Sequence, residues 1–447
     1  MMKSYRKALV LGAGLSGLGA ARLLVAEGTD VTVVDGRPAS ELTDASAQLD
    51  ALGARGCWGT GAMPPGRFDL CVVSPGFDVH GDTVRAAREI SAELLPEIEL
   101  GWSRATCRTI AVTGSNGKST AVKWCAETLE RAGCRVAVAG NYGRSVCAVV
   151  LEETDLDWLV LEISSFQLET VCDFRVDIGC LTNIHPNHLD RHENMETYTQ
   201  LKSRLFARST RDDSCVVPQN RLRDMQRLSG GRGHWISFGC EADADVQCRG
   251  GRVFQGGVER ADFSATPFGQ PGLEETAAAL TAMMDGAGVD VRHAVEAAKE
   301  YQSLPHRLQS IAEIAGVRYI NDSKSTNLAA IGHALRAMPG PVRLIAGGLA
   351  KENNFDCLQE RLAERVQTVY LVGKSAEQMF SAWSRDVPCV MSGTLDEALR
   401  QARDDAQSGE VVLLSPGCAS FDQFRNYEQR GEHFSRLVLQ LAGKEIS

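Results

Sequence analysis

The chain of 447 residues lacks a surplus of positive charge. It carries 47 Lys and Arg residues against 57 Asp and Glu residues, which gives a formal net charge of -10. Proteins that bind nucleic acid or an anionic membrane need basic groups to neutralise phosphates, so this balance argues against both kinds of partner. Anionic small molecules must instead be held by a few local groups.

Long apolar runs and paired cysteines are also missing. The nearest candidate for a membrane span or signal peptide, residues 8–25, is interrupted by Arg22 and by four glycines. The 14 cysteines are scattered, and none of them forms a Cys-x-x-Cys pair. Such cysteines suit the interior of a protein in a reducing compartment better than a disulfide framework. We therefore expect a cytoplasmic protein, and because no feature requires a stable oligomer we expect a monomer.

Short apolar runs alternate with helical stretches along the chain, without low-complexity segments or short repeats. This alternation predicts an α/β fold built on parallel sheets. At roughly 150 residues per domain the length suggests three domains, which we place at residues 1–103, 104–302 and 303–447. Residues 208–270 are rich in Arg, Gly and Asp and contain short β-like pieces at 235–238 and 252–254, and we expect them to form an irregular insertion.

A phosphate-binding loop is predicted at residues 113–120, which read Thr-Gly-Ser-Asn-Gly-Lys-Ser-Thr between an apolar strand and a helix. The glycines let backbone N–H groups close around phosphate oxygens, Lys118 supplies a positive charge, and Ser119 or Thr120 can ligate Mg²⁺. Val112 replaces the usual first glycine of the pattern, so the loop is a shortened variant. ATP is the predicted ligand, with a structural turn as the alternative. The candidate ATP-binding residues of the loop are Gly114, Ser115, Asn116, Gly117, Lys118, Ser119 and Thr120.

A second glycine-rich turn, residues 12–17, fits the fingerprint of dinucleotide-binding proteins. Asp35 follows at the end of the next predicted strand, where an acid that binds a ribose would lie. The same geometry holds any diphosphate, and no residues for hydride transfer can be identified elsewhere. A nicotinamide or flavin cofactor and a bland tight turn both remain alternatives from the residues alone.

Two further segments carry groups that could bind a metal ion. Glu162 ends the apolar run 158–161, which would place a carboxylate beside the phosphate loop and make it a Mg²⁺ candidate. A helix cap or a surface position is the alternative for this residue. His185, His188 and His192 could be a zinc cluster, but their spacing matches neither a zinc finger nor a zincin helix. One histidine at a magnesium–phosphate site is the preferred interpretation.

Together these motifs resemble the Mur ligase family over nearly the whole chain. The resemblance rests on the phosphate loop, on Glu162 with the following Ile-Ser-Ser-Phe-Gln-Leu-Glu, and on Asn-His-Leu-Asp-Arg at 187–191. Residues 321–327 and 414–424 are similar to those of family members that add glutamate to a UDP-linked muramoyl-alanine. The resemblance implies three domains: a Rossmann-like UDP-binding domain, a central P-loop ATPase-like domain and a C-terminal Rossmann-like domain. The expected reaction joins D-glutamate to UDP-N-acetylmuramoyl-L-alanine with ATP, in peptidoglycan precursor synthesis, with L-glutamate as the open alternative.

The same resemblance implies roles for individual residues. Lys202 would carry a carbamate and, with Ser119, Glu162 and His188, hold two Mg²⁺ ions, and Lys118, Glu162, His188 and Lys202 would be catalytic. Further ATP contacts are implied for Asn141, His306, Arg307, Asp322 and Lys324. Substrate contacts are implied for Leu15, Ser16, Gly17, Asp35, Arg37, Thr326, Lys351, Ser420, Phe421 and Tyr427.

The chain departs from the family pattern at one segment, residues 269–275, which read Gly-Gln-Pro-Gly-Leu-Glu-Glu. The asparagines expected near the adenine are missing there, which puts adenine binding in doubt. Two rivals are kept. A folate polyglutamate ligase would lack the glycine-rich first domain, and a catalytically silent nucleotide-binding scaffold would release no ADP.

Overall fold

The computed structural model describes residues 3–59, 63–338, 340–351 and 354–443. The chain divides into two compact units. The first comprises residues 1–183, 196–262 and 275–299, and the second comprises residues 184–195, 263–274 and 300–447. Among the described residues, no helix is both long and apolar enough to span a membrane.

The first sheet, in the first unit, has five parallel strands in the order β3-β2-β1-β4-β5. Its central strands are almost continuously apolar because helices cover both of their faces. The strands are β1 (Lys7–Leu11), β2 (Asp30–Asp35), β3 (Arg55–Trp58), β4 (Phe68–Val73) and β5 (Ser91–Pro96). The helices are α1 (Leu15–Ala26), α2 (Thr43–Leu52), α3 (Asp82–Ile90) and α4 (Glu97–Trp102).

The middle sheet, also in the first unit, has nine strands in the order β14-β13-β12-β11-β10-β9-β6-β8-β7. Neighbouring strands from β12 to β7 are parallel, and β13 and β14 add an antiparallel edge. The strands are β6 (Arg108–Thr113), β7 (Val136–Gly140), β8 (Trp158–Glu162), β9 (Ile178–Leu181), β10 (Ser214–Pro218), β11 (His234–Gly239), β12 (Val246–Arg249), β13 (Arg252–Gln255) and β14 (Val258–Asp262). The helices that follow β6 in the chain are α5 (Lys118–Arg131), α6 (Val146–Glu152), α7 (Ser165–Leu168), α8 (Leu189–His192), α9 (Met195–Ser203), α10 (Leu222–Ser229), α11 (Glu274–Ala287) and α12 (Arg292–Glu300).

The prediction of an irregular insertion at residues 208–270 was wrong. Strands β10 to β14 and helix α10 occupy most of that segment and continue the middle sheet. The strands are only four to six residues long and are separated by glycine- and aspartate-rich turns. Strands β12, β13 and β14 form two hairpins whose two-residue turns are Gly250-Gly251 and Gly256-Gly257, a pattern that is visible in the sequence. Strand β10 pairs instead with β9 and β11, and local composition does not reveal that pairing.

The third sheet lies in the second unit and has six strands in the order β15-β16-β20-β17-β18-β19. All neighbours are parallel except β15 and β16. The strands are β15 (Gln309–Ile314), β16 (Val317–Asn321), β17 (Val342–Gly347), β18 (Val366–Val372), β19 (Cys389–Gly393) and β20 (Val411–Leu414). The helices are α13 (Leu328–Ala337), α14 (Gln359–Arg365), α15 (Ala376–Trp383), α16 (Leu395–Asp405) and α17 (Tyr427–Leu441).

The three sheets confirm the predicted α/β class with mostly parallel strands. In a parallel sheet the loops that follow the strands meet at one edge, and ligands bind preferentially there. We call this edge, where the strands end, the carboxyl edge of each sheet, and it is where the candidate residues are expected.

Candidate functional site

The first glycine-rich turn lies at the carboxyl edge of the first sheet and leads into α1. A side chain at Gly17 would place its Cβ 1.8 Å from the carbonyl oxygen of Gly12, so the turn can close this tightly only with glycine. Asp35 braces the turn, because its carboxylate accepts the Ala13 N–H at 2.9 Å and both Arg37 Nε and Nη2 at 3.0 and 2.7 Å. The hydrogen bonds from Arg37 lower the pKa of Asp35 to about 2.

This geometry gives Asp35 a part in shaping the turn in addition to the predicted ribose contact. Its carboxylate is buried, whereas the Arg37 side chain is half exposed and is turned to the same edge. Leu15 is 80% exposed and Ser16 is half-buried at the start of α1. The turn thus presents backbone N–H groups, a hydroxyl and a guanidinium, which is a set suited to a diphosphate.

The phosphate loop lies at the carboxyl edge of the middle sheet, between β6 and α5. Gly114 and Gly117 adopt φ angles of 145° and 79°, which residues with side chains rarely adopt. Lys118 folds back over the loop, and its Nζ donates to the carbonyl oxygens of Gly114 and Ser115 at 2.9 and 3.1 Å. Ser119 and Thr120 occupy the first turn of α5, as the loop pattern predicted.

Two residues that follow β9 hold this loop in shape. Asn183 accepts the Asn116 N–H through its Oδ1 at 2.9 Å and the Ser115 N–H through its carbonyl at 3.0 Å. Thr182 donates its hydroxyl to the carbonyl oxygen of Asn116 at 2.7 Å. The sequence analysis gave neither residue a role. Their position directly after an apolar strand adjacent to β6 was the available signal.

Glu162 ends β8, the strand that pairs with β6 on the side away from β9, and its side chain is buried. Its Oε2 accepts the hydroxyl of Ser119 in a very short contact, and its Oε1 accepts Asn141 Nδ2 at 2.6 Å. Gly140 must be glycine, because a Cβ there would lie 2.3 Å from the Glu162 carbonyl oxygen. A carboxylate, a hydroxyl and an amide thus share one buried point, and their oxygens are hard donors of the kind that Mg²⁺ prefers.

Lys202 lies on α9 and is completely buried, yet its amine reaches the same loop. Its Nζ donates to the Gly114 carbonyl oxygen at 2.9 Å and lies 4.5 Å from the centre of the Tyr198 ring. Burial, together with the nearby charge of Lys118, holds the pKa of Lys202 well below its usual value. The Tyr198 hydroxyl lies 3.1 Å from Ser115 Oγ, and burial raises the tyrosine pKa to about 12.

Tyr198 is a third residue that sequence reasoning missed. It precedes Lys202 by four positions on one helix, so both side chains lie on the same face. That spacing was visible in the sequence and could have indicated a shared site.

His188 belongs to the second unit, where it precedes α8 with φ 55°, a backbone conformation that costs free energy for a residue with a side chain. Such strain is common where a side chain is held for a function. Over the described residues, no cluster of three close metal-binding groups includes His185, His188 or His192. The geometry therefore does not support the zinc alternative.

The carboxyl edge of the third sheet gathers the candidates of the second unit. His306 adopts φ 63°, and its Nδ1 lies 3.1 Å from Asn321 Nδ2. Burial lowers the pKa of His306. Asp322 accepts Ser415 Oγ at 2.9 Å and the Leu308 N–H at 3.2 Å, and burial raises its pKa to about 7. Arg307, the residue after His306, is half-buried.

Arg430 on α17 ties two of these loops together and was also missed. Its guanidinium donates to Ser323 Oγ at 3.0 Å, to the Ser323 carbonyl at 2.8 Å and to the Cys418 carbonyl at 3.1 Å. One turn away on α17, the Tyr427 ring faces Lys324, whose Nζ lies 3.7 Å from the ring centre. The loop after β16 is therefore fixed from one side by this helix.

The loops after β17, β18 and β20 interlock at the same edge. Leu349 and Ala419 exchange backbone hydrogen bonds of 2.8 and 2.9 Å, and Asp422 accepts the Lys374 N–H at 3.0 Å. These bonds hold a set of candidates that includes buried, half-buried and exposed side chains. The set comprises Ser420 (3% exposed), Phe421 (68% exposed) and the half-buried Thr326 and Lys351.

The altered segment keeps a defined backbone, although it lacks the expected asparagines. A Cβ at Gly269 would lie 2.3 Å from the carbonyl oxygen of Phe263, and Gly272 adopts φ 89° beside Arg336 of α13. Gln270 is exposed in this turn. The segment is thus built on glycines, and the missing amides are a change in its side chains.

Comparisons with known proteins agree with this geometry. The Mur ligase middle domain matches residues 112–270, and the Mur ligase glutamate ligase domain matches residues 306–418. The chain is 39% identical to UDP-N-acetylmuramoylalanine–D-glutamate ligase of Acidobacterium capsulatum, with 97% of this chain and 96% of the relative covered. It is 38% identical to the enzyme of that name from Nitratidesulfovibrio vulgaris, with the same coverage.

A solved structure shows the same fold. The MurF ligase of Thermotoga maritima in complex with ADP superimposes with a TM-score of 0.62 at 16% identity, over 92% of this chain and 96% of that chain. The family domains span the phosphate loop, Glu162, Lys202 and the edge of the third sheet. The chain belongs to the Mur ligase family.

Proposed function

We propose that the chain is an ATP-dependent, ADP-forming ligase that joins D-glutamate to UDP-N-acetylmuramoyl-L-alanine. The observation that carries the proposal is the cluster at the phosphate loop, where Lys118 and Lys202 both donate to the Gly114 carbonyl and Glu162 accepts the Ser119 hydroxyl. The near-full-length relatives with that activity in their names support the choice of substrates. We place the reaction in the cytoplasm, in peptidoglycan precursor synthesis, because it consumes ATP and a UDP-linked substrate.

Three domains divide this work, with proposed boundaries at 1–103, 104–302 and 303–447. The Rossmann-like first domain would hold the UDP diphosphate on its glycine-rich turn, where Arg37 supplies positive charge and Leu15, Ser16 and Gly17 supply the start of α1. The central P-loop domain would hold ATP. The C-terminal Rossmann-like domain would bring the amino acid. We propose that the chain acts as a monomer and requires neither nucleic acid nor a membrane.

In the first step, a carboxylate oxygen of the alanyl group attacks the γ-phosphorus of ATP. A new oxygen–phosphorus bond forms as the bond to the β-phosphate oxygen breaks, which gives an acyl phosphate and ADP. Both reactants are anions, so their approach requires positive charge. Lys118 is placed at the loop to offset that charge, and Asn141 beside Glu162 would orient the phosphates.

In the second step, the amine of glutamate attacks the acyl carbon, a carbon–nitrogen bond forms, and phosphate leaves through a tetrahedral intermediate. The amine loses its proton to the medium or to the departing phosphate. We propose that Lys351 binds a carboxylate of glutamate as a cation, with Ser420, Phe421 and Thr326 around it. His306, Arg307, Asp322, Lys324 and Tyr427 would serve the nucleotide and phosphate side.

The Ser119 hydroxyl and the Glu162 carboxylate at the phosphate loop are oxygen donors that fit Mg²⁺. By the family resemblance we propose two Mg²⁺ ions, for which His188 and Lys202, as its carbamate, would supply further ligands, and bound Mg²⁺ would neutralise phosphate charge. The lowered pKa of the buried Lys202 favours its neutral amine, which is the form that adds CO₂ and releases one proton. Carbamylation would therefore convert a buried amine into an anionic oxygen ligand. Adenine would be held without the family's asparagines, so we expect its contribution to affinity to be reduced.

The test is phosphate release by the purified protein with ATP, Mg²⁺ and UDP-N-acetylmuramoyl-L-alanine. Reactions with D-glutamate, L-glutamate and no amino acid are compared, and the UDP product is weighed by mass spectrometry. Release that requires D-glutamate, with a product heavier by one glutamyl unit, supports the proposal. Lys118→Ala should abolish release, whereas Lys299→Ala, on the surface of α12, should not. Folded protein without amino-acid-dependent release would refute the proposal.

A further inference from the structure

We infer that Cys240 and Cys248 form a modification site that reacts with low-molecular-weight disulfides and closes into an intramolecular disulfide. Cys248 lies on β12 of the middle sheet, and Cys240 directly follows the neighbouring strand β11. Their Sγ atoms are 3.1 Å apart in the reduced protein. No step of the proposed ligation uses either thiol, so the inference does not depend on that function.

The strand register brings the two residues together independently of the sulfur positions. Strands β11 and β12 are parallel, with Phe238 opposite Val246 and Gly239 opposite Gln247. Cys240 directly follows the end of β11, and Cys248 is the next residue of β12 after Gln247. Neighbouring strands lie about 4.8 Å apart, which is within the range of Cα separations, roughly 4.4–6.8 Å, found in disulfides. Closing the bond therefore requires no rearrangement of the sheet.

A local network keeps the connection between the two strands in shape. The Asp245 carboxylate accepts the Ser237 N–H at 2.8 Å and the Ser237 hydroxyl at 2.7 Å, and the Asp245 N–H donates back to that hydroxyl at 2.9 Å. These bonds join the residue three before Cys240 to the residue three before Cys248. The hydrogen bonds between Ser237 and Asp245 therefore fix the segment that separates the two cysteines.

The two thiols differ in exposure, which sets the order of the reaction. Cys240 is exposed and Cys248 is buried. The thiolate of Cys240 attacks one sulfur of oxidised glutathione, forms a mixed disulfide and releases one glutathione thiolate. Cys248 loses its proton, its sulfur attacks Sγ of Cys240, and the second glutathione leaves. Two protein thiols are thereby oxidised to one disulfide, and oxidised glutathione is reduced to two molecules of glutathione.

The attack of Cys248 on the mixed disulfide should be fast, so the mixed disulfide on Cys240 should not accumulate. A thiol held beside its target has an effective concentration of millimolar or more, by the order-of-magnitude rule for tethered partners. Cys172 is also exposed, and among the described residues its sulfur contacts the Thr170 carbonyl and no cysteine sulfur. It serves as an internal control, because it should stop at the glutathione adduct.

The experiment uses the purified full chain treated with oxidised glutathione, denatured, alkylated with iodoacetamide and digested with trypsin. Residues 233–249 form one tryptic peptide that holds both cysteines and no internal Lys or Arg. We expect this peptide to lose two hydrogen atoms, to escape alkylation at both positions and to recover its original mass with dithiothreitol. Cys240→Ser should leave Cys248 alkylated and free of glutathione, since its buried thiol depends on the exposed one. This variant changes a surface position and should fold normally.

Two results would overturn the inference. One is a lasting glutathione adduct on Cys240 with Cys248 alkylated, which would mean that the sulfurs do not reach each other. The other is an unmodified peptide 233–249 under conditions in which Cys172 takes up glutathione. A disulfide already present in the untreated protein would support the inference.

Discussion

Replacing Gly114 by alanine should disturb the phosphate loop more than its change in size suggests. The residue has φ 145°, and a Cβ added to it would lie 2.0 Å from the hydroxyl oxygen of Thr182. The same Cβ would lie 3.1 and 3.2 Å from the backbone N and O of Asn183. Two backbone atoms and a hydrogen-bonded side chain cannot all retreat, so the loop itself must move.

The magnitude follows from two separate costs. An unfavourable backbone conformation costs about 1–3 kcal/mol for a residue with a side chain. Overpacking a tight site typically costs a further 1–3 kcal/mol. We therefore expect the free energy of unfolding of the first unit to fall by about 2–6 kcal/mol. Because the Gly114 carbonyl accepts both Lys118 and Lys202, the displacement should also weaken binding of an ATP analogue.

The assay is urea unfolding followed by tryptophan fluorescence, together with titration of a non-hydrolysable ATP analogue. Gly133→Ala is the matched control, since Gly133 also has a positive φ, 87°, but its added Cβ would meet no atom within 4 Å. In this control variant the free energy of unfolding should fall by about 1 kcal/mol, and the affinity for the ATP analogue should be unchanged. Adding Thr182→Ala should recover part of the nucleotide affinity lost in Gly114→Ala, because the nearest obstacle is then gone. Equal losses of stability and affinity in the two glycine variants would refute the reasoning.

Three more perturbations test other parts of the site. Tyr198→Phe should reduce the free energy of unfolding by about 1 kcal/mol in urea titrations, because one buried hydrogen bond to Ser115 is lost while the ring beneath Lys202 stays. Asp322 binds its proton more tightly in the folded chain, so its contribution to stability should fall as pH rises from about 4 to about 7. Thermal melts of Asp322→Asn should show a flatter pH dependence across that window, and an unchanged dependence would contradict the raised pKa. Arg430→Lys keeps the charge but cannot reproduce the fork that joins Ser323 to Cys418, so steady-state kinetics should show KM for glutamate raised about tenfold or more. An unchanged KM would show that the joined loops do not position the amino acid.

The sequence indicated the phosphate loop and Glu162 because binding a phosphate and a metal ion needs particular residue types in a particular order. A glycine-rich turn between a strand and a helix, and an acid at the end of a neighbouring strand, are local patterns. The phosphate loop and Glu162 were both predicted from such patterns, and in the structure the Ser119 hydroxyl contacts the Glu162 carboxylate. Their meeting follows from the parallel pairing of β6 with β8.

The supporting residues could not be found in this way because their partners are distant in sequence. Asn183 lies 67 residues from Asn116, and Arg430 lies 107 residues from Ser323. Single polar residues in loops are common, so a position directly after an apolar strand was only a weak sign that Asn183 holds the phosphate loop. Within residues 208–270 the two predicted β-like pieces match β11 and β13, whereas β10, β12 and β14 were missed.

The contact shared by two lysines explains why a modified Lys202 would suit this fold. Lys118 and Lys202 both donate to the Gly114 carbonyl at 2.9 Å, so their nitrogens are no more than twice that distance apart. Two positive charges at that separation repel by about 3 kcal/mol at an effective dielectric constant of about 20. Burial and this repulsion both lower the pKa of Lys202. A carbamate at Lys202 would reverse the sign of this interaction, so that the same close approach to Lys118 becomes attractive.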